Sequence, residues 1–152
     1  MTIKTILQKG NPFLLQKVQA VSSFDMCLSE HIDDMLETMR SNHGVGLAAN
    51  QIGVDQRIIM IEVNNNPRYP GQQKLPLMVF INPQIIVISD EMESTIEGCL
   101  SVPGYRGEVL RYKSISYQAY DAQGKPFSGH AEGFLARVIQ HEVDHLNGIL
   151  IA

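Results

Sequence analysis

Near its C-terminal end the chain reads His141-Glu142-Val143-Asp144-His145, and no other stretch limits what it can fold into so tightly. Residues four apart on an α-helix stand one turn above each other, with Cβ atoms about 5–6 Å apart, so a helix lets both imidazoles face one cation. Glu142 lies roughly 100° round the axis from His141. From there it flanks the cation and reaches a water held on it as general base. Phe134, Val138, His141 and His145 share one helical face, which predicts a helix over Ala131 to Leu146 buried on that side. Taken alone, the five residues also fit a pair of capping or core-satisfied histidines.

A catalytic divalent site needs three protein ligands and an open position. Leu146 to Ala152 contain no Cys, His, Asp or Glu, and Ile151 stands where a metzincin would carry its third histidine, so the missing ligand is expected upstream. Cys99, in Glu97-Gly98-Cys99-Leu100-Ser101 beside a short strand-like run, is the best candidate. Two imidazoles and a thiolate suit Fe²⁺, Zn²⁺, Ni²⁺ or Co²⁺, and ligand type alone does not choose among them.

The rest of the chain predicts an α+β fold. Met26, Leu28, Ile32, Met35, Leu36 and Met39 recur at helical spacing after Asp25, an N-cap residue, giving an N-terminal helix that ends near Asn42. Ile58 to Val63, Leu77 to Ile81, Ile85 to Ile88 and Ser114 to Tyr120 read as short strands, and Asn64 to Lys74 as an exposed loop. No strand–helix–strand alternation supports a parallel sheet, so antiparallel strands should pack around the C-terminal helix. With 152 residues, 44% of them hydrophobic, a single domain over 1–152 is expected. A net charge of −4 offers no basic footprint for a stable nucleic-acid partner, and no apolar run approaches the ~18 residues that cross a membrane. Met1 to Gly10 lacks an apolar signal segment, and two distant cysteines suit reduced thiols, so a cytoplasmic protein is expected.

Three separated blocks resemble, in order, the signature blocks of peptide deformylases: Gly44-Val45-Gly46-Leu47-Ala48-Ala49-Asn50-Gln51, Glu97-Gly98-Cys99-Leu100-Ser101, and Gln140 to Gly148 around the two histidines. Asn11-Pro12 with Leu14-Leu15 and the Arg111-Tyr112 region are similar to the family as well. The resemblance implies Cys99, His141 and His145 as metal ligands and Glu142 as the acid/base. It implies Gln51 and the backbone N–H of Leu100 as oxyanion stabilisers. The implied reaction removes formyl from N-formylmethionyl peptides of nascent chains, in the bacterial cytoplasm, with one ferrous ion. A thiolate on iron would make the site oxygen-sensitive. Transient ribosome association is a further implied partner, put in question by how soon the chain ends after the third block.

Val45, Gly46 and Gly98 are expected to let an extended peptide approach the backbone. Phe134 and Val138 either wall a pocket for a methionine side chain or are simple core residues, and Arg106 resembles a family position near the substrate. Arg111 resembles the family's partner for Glu97, although isolated arginines are usually solvated. Gly44 to Ala49 also fits a degenerate dinucleotide fingerprint, but neither the preceding strand nor the following helix is present. Cys27 and His31, four apart on the first helix, read as a buried thiol and a surface imidazole. His43 and His130 have no spacing that argues for a role. A non-catalytic metal-binding or redox-sensing protein with the same ligands is the rival class. Structural sites usually close with four protein ligands, against the three evident here.

Overall fold

The computed structural model describes residues 2–87 and 89–152. Helix α1 spans Met26–Ser41, and the Asp25 side chain accepts from the Leu28 N–H at its start, as the sequence predicts. It packs Leu28, Met35 and Met39 against Leu47, Ile58, Met60 and Ile81. Helix α2 spans Gly133–Leu146 and packs Ala136, Ile139, Val143 and Leu146 against Ile59, Ile61, Val63 and Phe80. The apolar run Ile58 to Ile61 therefore has a simple cause. Its alternate residues point to opposite faces, and each face is covered by a different helix.

Among the described residues seven strands form two antiparallel sheets: β1 (Gly46–Ala48), β2 (Ile58–Val63), β3 (Leu75–Val87), β4 (Met92–Cys99), β5 (Val102–Tyr112), β6 (Ser114–Tyr120) and β7 (Pro126–Glu132). The order β1-β2-β3-β6-β7 makes the larger sheet, and β4-β5 makes a separate hairpin. Every strand pair among the described residues is antiparallel.

Three sequence expectations need correction. The stretches Leu77–Ile81 and Ile85–Ile88 are not two strands but parts of β3, although Ile88 lies outside the described residues. The Asn82-Pro83 pair between them forms an irregularity within that strand. Asn82 has φ of 52°, and its side-chain amide bonds both the N–H and the C=O of Val21. Three steps from Ile81 to Gln84 oppose two from Tyr120 to Gln118, so one extra residue makes a bulge rather than a chain reversal. Second, α2 begins at Gly133 and not Ala131. Ala131 and Glu132 still pair with Ile115 and Ser114, and Gly133, at φ of 61°, turns the chain into the helix. Third, Cys27 is exposed rather than buried, and His31 is half-buried with Nδ1 at 3.0 Å from Gln56 Oε1.

Candidate active site

The C-terminal helix carries an unusual load of buried polar groups, with Arg137, Gln140, His141, Glu142 and His145 all inside. Each needs a partner, because an unpaired buried polar group costs about 1–3 kcal/mol. Most of the partners come from the β4–β5 hairpin. Gln140 donates from Nε2 to the Tyr112 carbonyl at 2.9 Å and accepts the Tyr112 N–H at 3.0 Å. His141 holds Glu97 Oε1 at 2.9 Å through Nδ1, which leaves Nε2 to face the site. Arg111 forks onto both oxygens of Glu97 at 2.9 and 3.0 Å and reaches Asp144 with its other nitrogen. It is buried in a network and not solvated, as an isolated arginine would be.

This packing brings Cys99, the last residue of β4, to the two histidines. One ligand atom each from Cys99, His141 and His145 lie within 4.8 Å of one another, and Cys99 Sγ stands 3.3 Å from His145 Nε2. A tetrahedral ion with bonds of about 2.0–2.3 Å keeps its ligand atoms roughly 3.5 Å apart, so the donors are spaced to share one cation. Burial alone would depress the His141 imidazole, but hydrogen bonds to Cys99 and Glu97 and the charge of Glu142 lift it to about 10. Burial and the charges of His141 and Arg111 push His145 well below its usual value. Burial raises the Glu97 carboxyl, yet hydrogen bonds from His141 and Arg111 and the Arg111 charge overcome this and bring it to about 2.

Glu142 lies beside the donors, with Oε2 at 4.0 Å from His141 Nε2. Burial raises its carboxyl to about 7, His141 and Arg111 oppose the rise, and Glu97 and Asp144 add to it. Its Oε1 is buried with no hydrogen-bond partner among the described residues.

Gln51 is buried in the 3-10 turn Ala49–Ile52. Its Oε1 accepts the Ala48 N–H at 3.0 Å, which fixes the amide with Nε2 toward the site. Nε2 donates to Ser101 Oγ at 2.9 Å and to Cys99 Sγ at 3.9 Å. Leu100 follows Cys99 directly and lines the same space.

A pocket opens over this cluster. Phe134 and Val138 from α2, Val45 and Gly46 from the β1 side, and Gly98 from β4 line it, together with Gln51, Cys99, Leu100, His141 and Glu142. Gly46 is there for close approach, since a Cβ on it would fall 2.6 Å from Glu142 Oε2 and 2.9 Å from Val138 Cγ1. Arg106 is the sequence candidate that the fold leaves apart. It is exposed, lines an adjoining groove, and sets its guanidinium 5.7 Å from the centre of the Tyr69 ring.

Several residues of the site escaped sequence reasoning. Arg68 and Tyr69 line the pocket from the loop 64–74, which is therefore more than an exposed excursion. Asn50 donates to the His145 carbonyl at 2.6 Å. Arg137 bonds Glu97 and lines the pocket, and its place one turn before His141 is the only local signal that marked it. For Arg68 and Tyr69 no such signal exists, because loop closure brings them in.

A thiol at the end of a hairpin, two imidazoles and a glutamate on a buried helix, all below a pocket, define the class of α+β metal-dependent hydrolases. The family description "Polypeptide deformylase" matches residues 3–152. Peptide deformylase 1 of Bordetella pertussis is 50% identical over 149 residues, 97% of this chain and 85% of that protein. Peptide deformylase 1 of Nitrosomonas europaea is 46% identical with the same coverage. A crystal structure of class I type b peptide deformylase from Acinetobacter baumannii with Met-Ala-Ser bound superimposes with a TM-score of 0.93 at 38% identity, covering 98% of this chain and 96% of that one. The chain belongs to the peptide deformylase family, whose members are metal-dependent hydrolases.

Proposed function

We propose that the chain removes formyl from the N-terminal formyl-methionine of newly made proteins, with Cys99, His141 and His145 holding one divalent ion. The observation that carries this reading is the convergence of those three donors beside Glu142 at the foot of a pocket. When bound, the ion supplies Lewis acidity, polarising a carbonyl and acidifying water. Ferrous iron is the proposed ion, with Zn²⁺, Ni²⁺ and Co²⁺ as alternatives that the same donors accept.

The chain's own residues do the rest. Glu142 Oε2 takes the proton of the attacking water and later returns it to the departing amine. The Gln51 amide and the N–H of Leu100 meet the charge growing on the formyl oxygen. The methionine side chain rests against Phe134, Val138 and Tyr69, which share the pocket. Among the described residues β1 pairs only with β2, which leaves its other edge to take an extended peptide, with Val45 and Gly46 on one side and Gly98 on the other. Arg106 stands further along the same path, in the adjoining groove. No helix among the described residues is long and apolar enough to cross a membrane. Cytoplasmic location and transient contact with the ribosome belong to the same proposal.

Formate release from a formyl-Met peptide by anaerobically prepared, metal-loaded protein tests the reading. Stoichiometric metal without formate release would favour the rival binding-protein class.

Gly46→Ala offers a sharper check on the geometry. The new Cβ has nowhere to go unless Glu142 moves, because β1 is held in register with Ile61. Displacing a reacting group by about 1 Å can cost about 100-fold, so kcat/KM is expected to fall by that order while the protein stays folded. Unchanged kinetics would mean that Glu142 does not work from this position.

A further inference from the structure

The three donors of the proposed site do not sit on one rigid element. Cys99 ends a hairpin that is not hydrogen-bonded into the main sheet, whereas His141 and His145 ride on α2. Something must hold the thiol at its 3.3 Å from His145. Arg137 is placed to do it. It projects from α2, only 7% exposed, and its guanidinium bonds three groups of the hairpin at once. Nη1 donates to Glu97 Oε2 and, at 3.0 Å, to the Val109 carbonyl, while Nη2 donates to the Glu93 carbonyl at 2.8 Å. These acceptors lie on both strands, β4 and β5. The Glu97 carboxylate that it grips is also the partner of His141 Nδ1.

Arg111 works differently, because it starts on β5, closes on Glu97 within the hairpin, and reaches α2 only through Asp144. Among the described residues only Arg137 spans from the ligand-bearing helix to the backbone of both hairpin strands. Its fork needs a planar donor set, which a guanidinium has and an ammonium lacks.

We infer that Arg137 is a positioning residue for the metal centre, pinning the Cys99-bearing hairpin to the histidine-bearing helix and aligning His141 through Glu97. The inference rests on Cys99, His141 and His145 being the ligands. In the folded chain, loss of the pin should therefore weaken metal binding and disturb the thiolate's share in it. Residues that orient first ligands commonly contribute 10- to 100-fold to metal affinity.

The test is cobalt titration of the full chain, unsubstituted and as Arg137→Met, following the visible bands and the thiolate-to-cobalt absorption in the near ultraviolet. The expected result is a dissociation constant raised about 10- to 100-fold with a weakened or shifted thiolate band, in protein whose far-ultraviolet circular dichroism is unchanged. With cobalt saturating, kcat should fall more than KM rises. Unaltered cobalt affinity and thiolate band in folded Arg137→Met, with only melting temperature or KM changed, would overturn the proposal and leave Arg137 a packing or pocket residue. If Arg137→Met does not fold, Arg137→Lys takes its place with the same two readings, since lysine keeps the stem and charge but not the fork. Failure of the unsubstituted chain to bind cobalt would overturn the ligand assignment itself, and this proposal with it.

Discussion

Glu142→Gln protein should bind its metal as the unsubstituted chain does and lose nearly all its turnover. The substitution keeps the volume of a side chain that is 4% exposed and wedged against the Gly46 backbone. It also keeps an oxygen to accept and adds an amide to donate. What it removes is the capacity to take a proton from water and give it to the leaving amine. A positioned acid/base contributes about 100- to 10,000-fold, or roughly 3–5 kcal/mol of barrier. Formate release under saturating peptide measures kcat, and metal analysis of the same sample separates lost chemistry from lost metal. A variant within a few-fold of the unsubstituted rate would remove Glu142 from the mechanism.

The second large effect is expected in stability. Glu97 is one carboxylate shared by Arg111, Arg137 and His141, all buried. In Glu97→Gln the amide keeps the shape but cannot balance two guanidiniums inside the protein. Removing one partner of a buried ion pair costs about 3–5 kcal/mol, because the remaining charge stays desolvated. For a chain of this length that corresponds to a melting temperature lower by roughly 6–20 °C, read on metal-free samples so that ligand binding does not mask it. Melting within about 2 °C of the unsubstituted protein would show that the cluster is better solvated than its geometry implies. Metal affinity should fall in parallel, since His141 loses the acceptor that orients its ring.

Parts of this molecule could be read locally. The first helix follows from Asp25 and the spacing of Leu28, Met35 and Met39, and the strand Ile58–Val63 from its β-branched run. The hairpin could not be read so. Met92 to Ile96 are exposed in β4, so that strand has no alternation to betray it. Its partner β5 contains Pro103, Gly104 and Gly107, which signal turns. They are tolerated because, among the described residues, β5 pairs with β4 alone. Gln51 shows the same limit on a single residue. Nothing in its neighbours marks it as buried, yet the fold buries it with its amide fixed by the Ala48 N–H.

The sequence by itself determined the histidine helix, because a 3.6-residue period and a four-residue spacing are properties of a continuous segment. It also supplied the donor chemistry, since a thiol and two imidazoles are the same groups in any fold. Tertiary structure decided that Cys99 meets those imidazoles and that Glu97 is held by three partners. It also decided that Arg68 and Tyr69 wall the pocket and that Arg137 bridges the helix to the hairpin. Those contacts join residues far apart in the chain. Their distances are set by strand register, loop closure and the burial of two helices on one sheet, none of which has a period to be seen along the sequence.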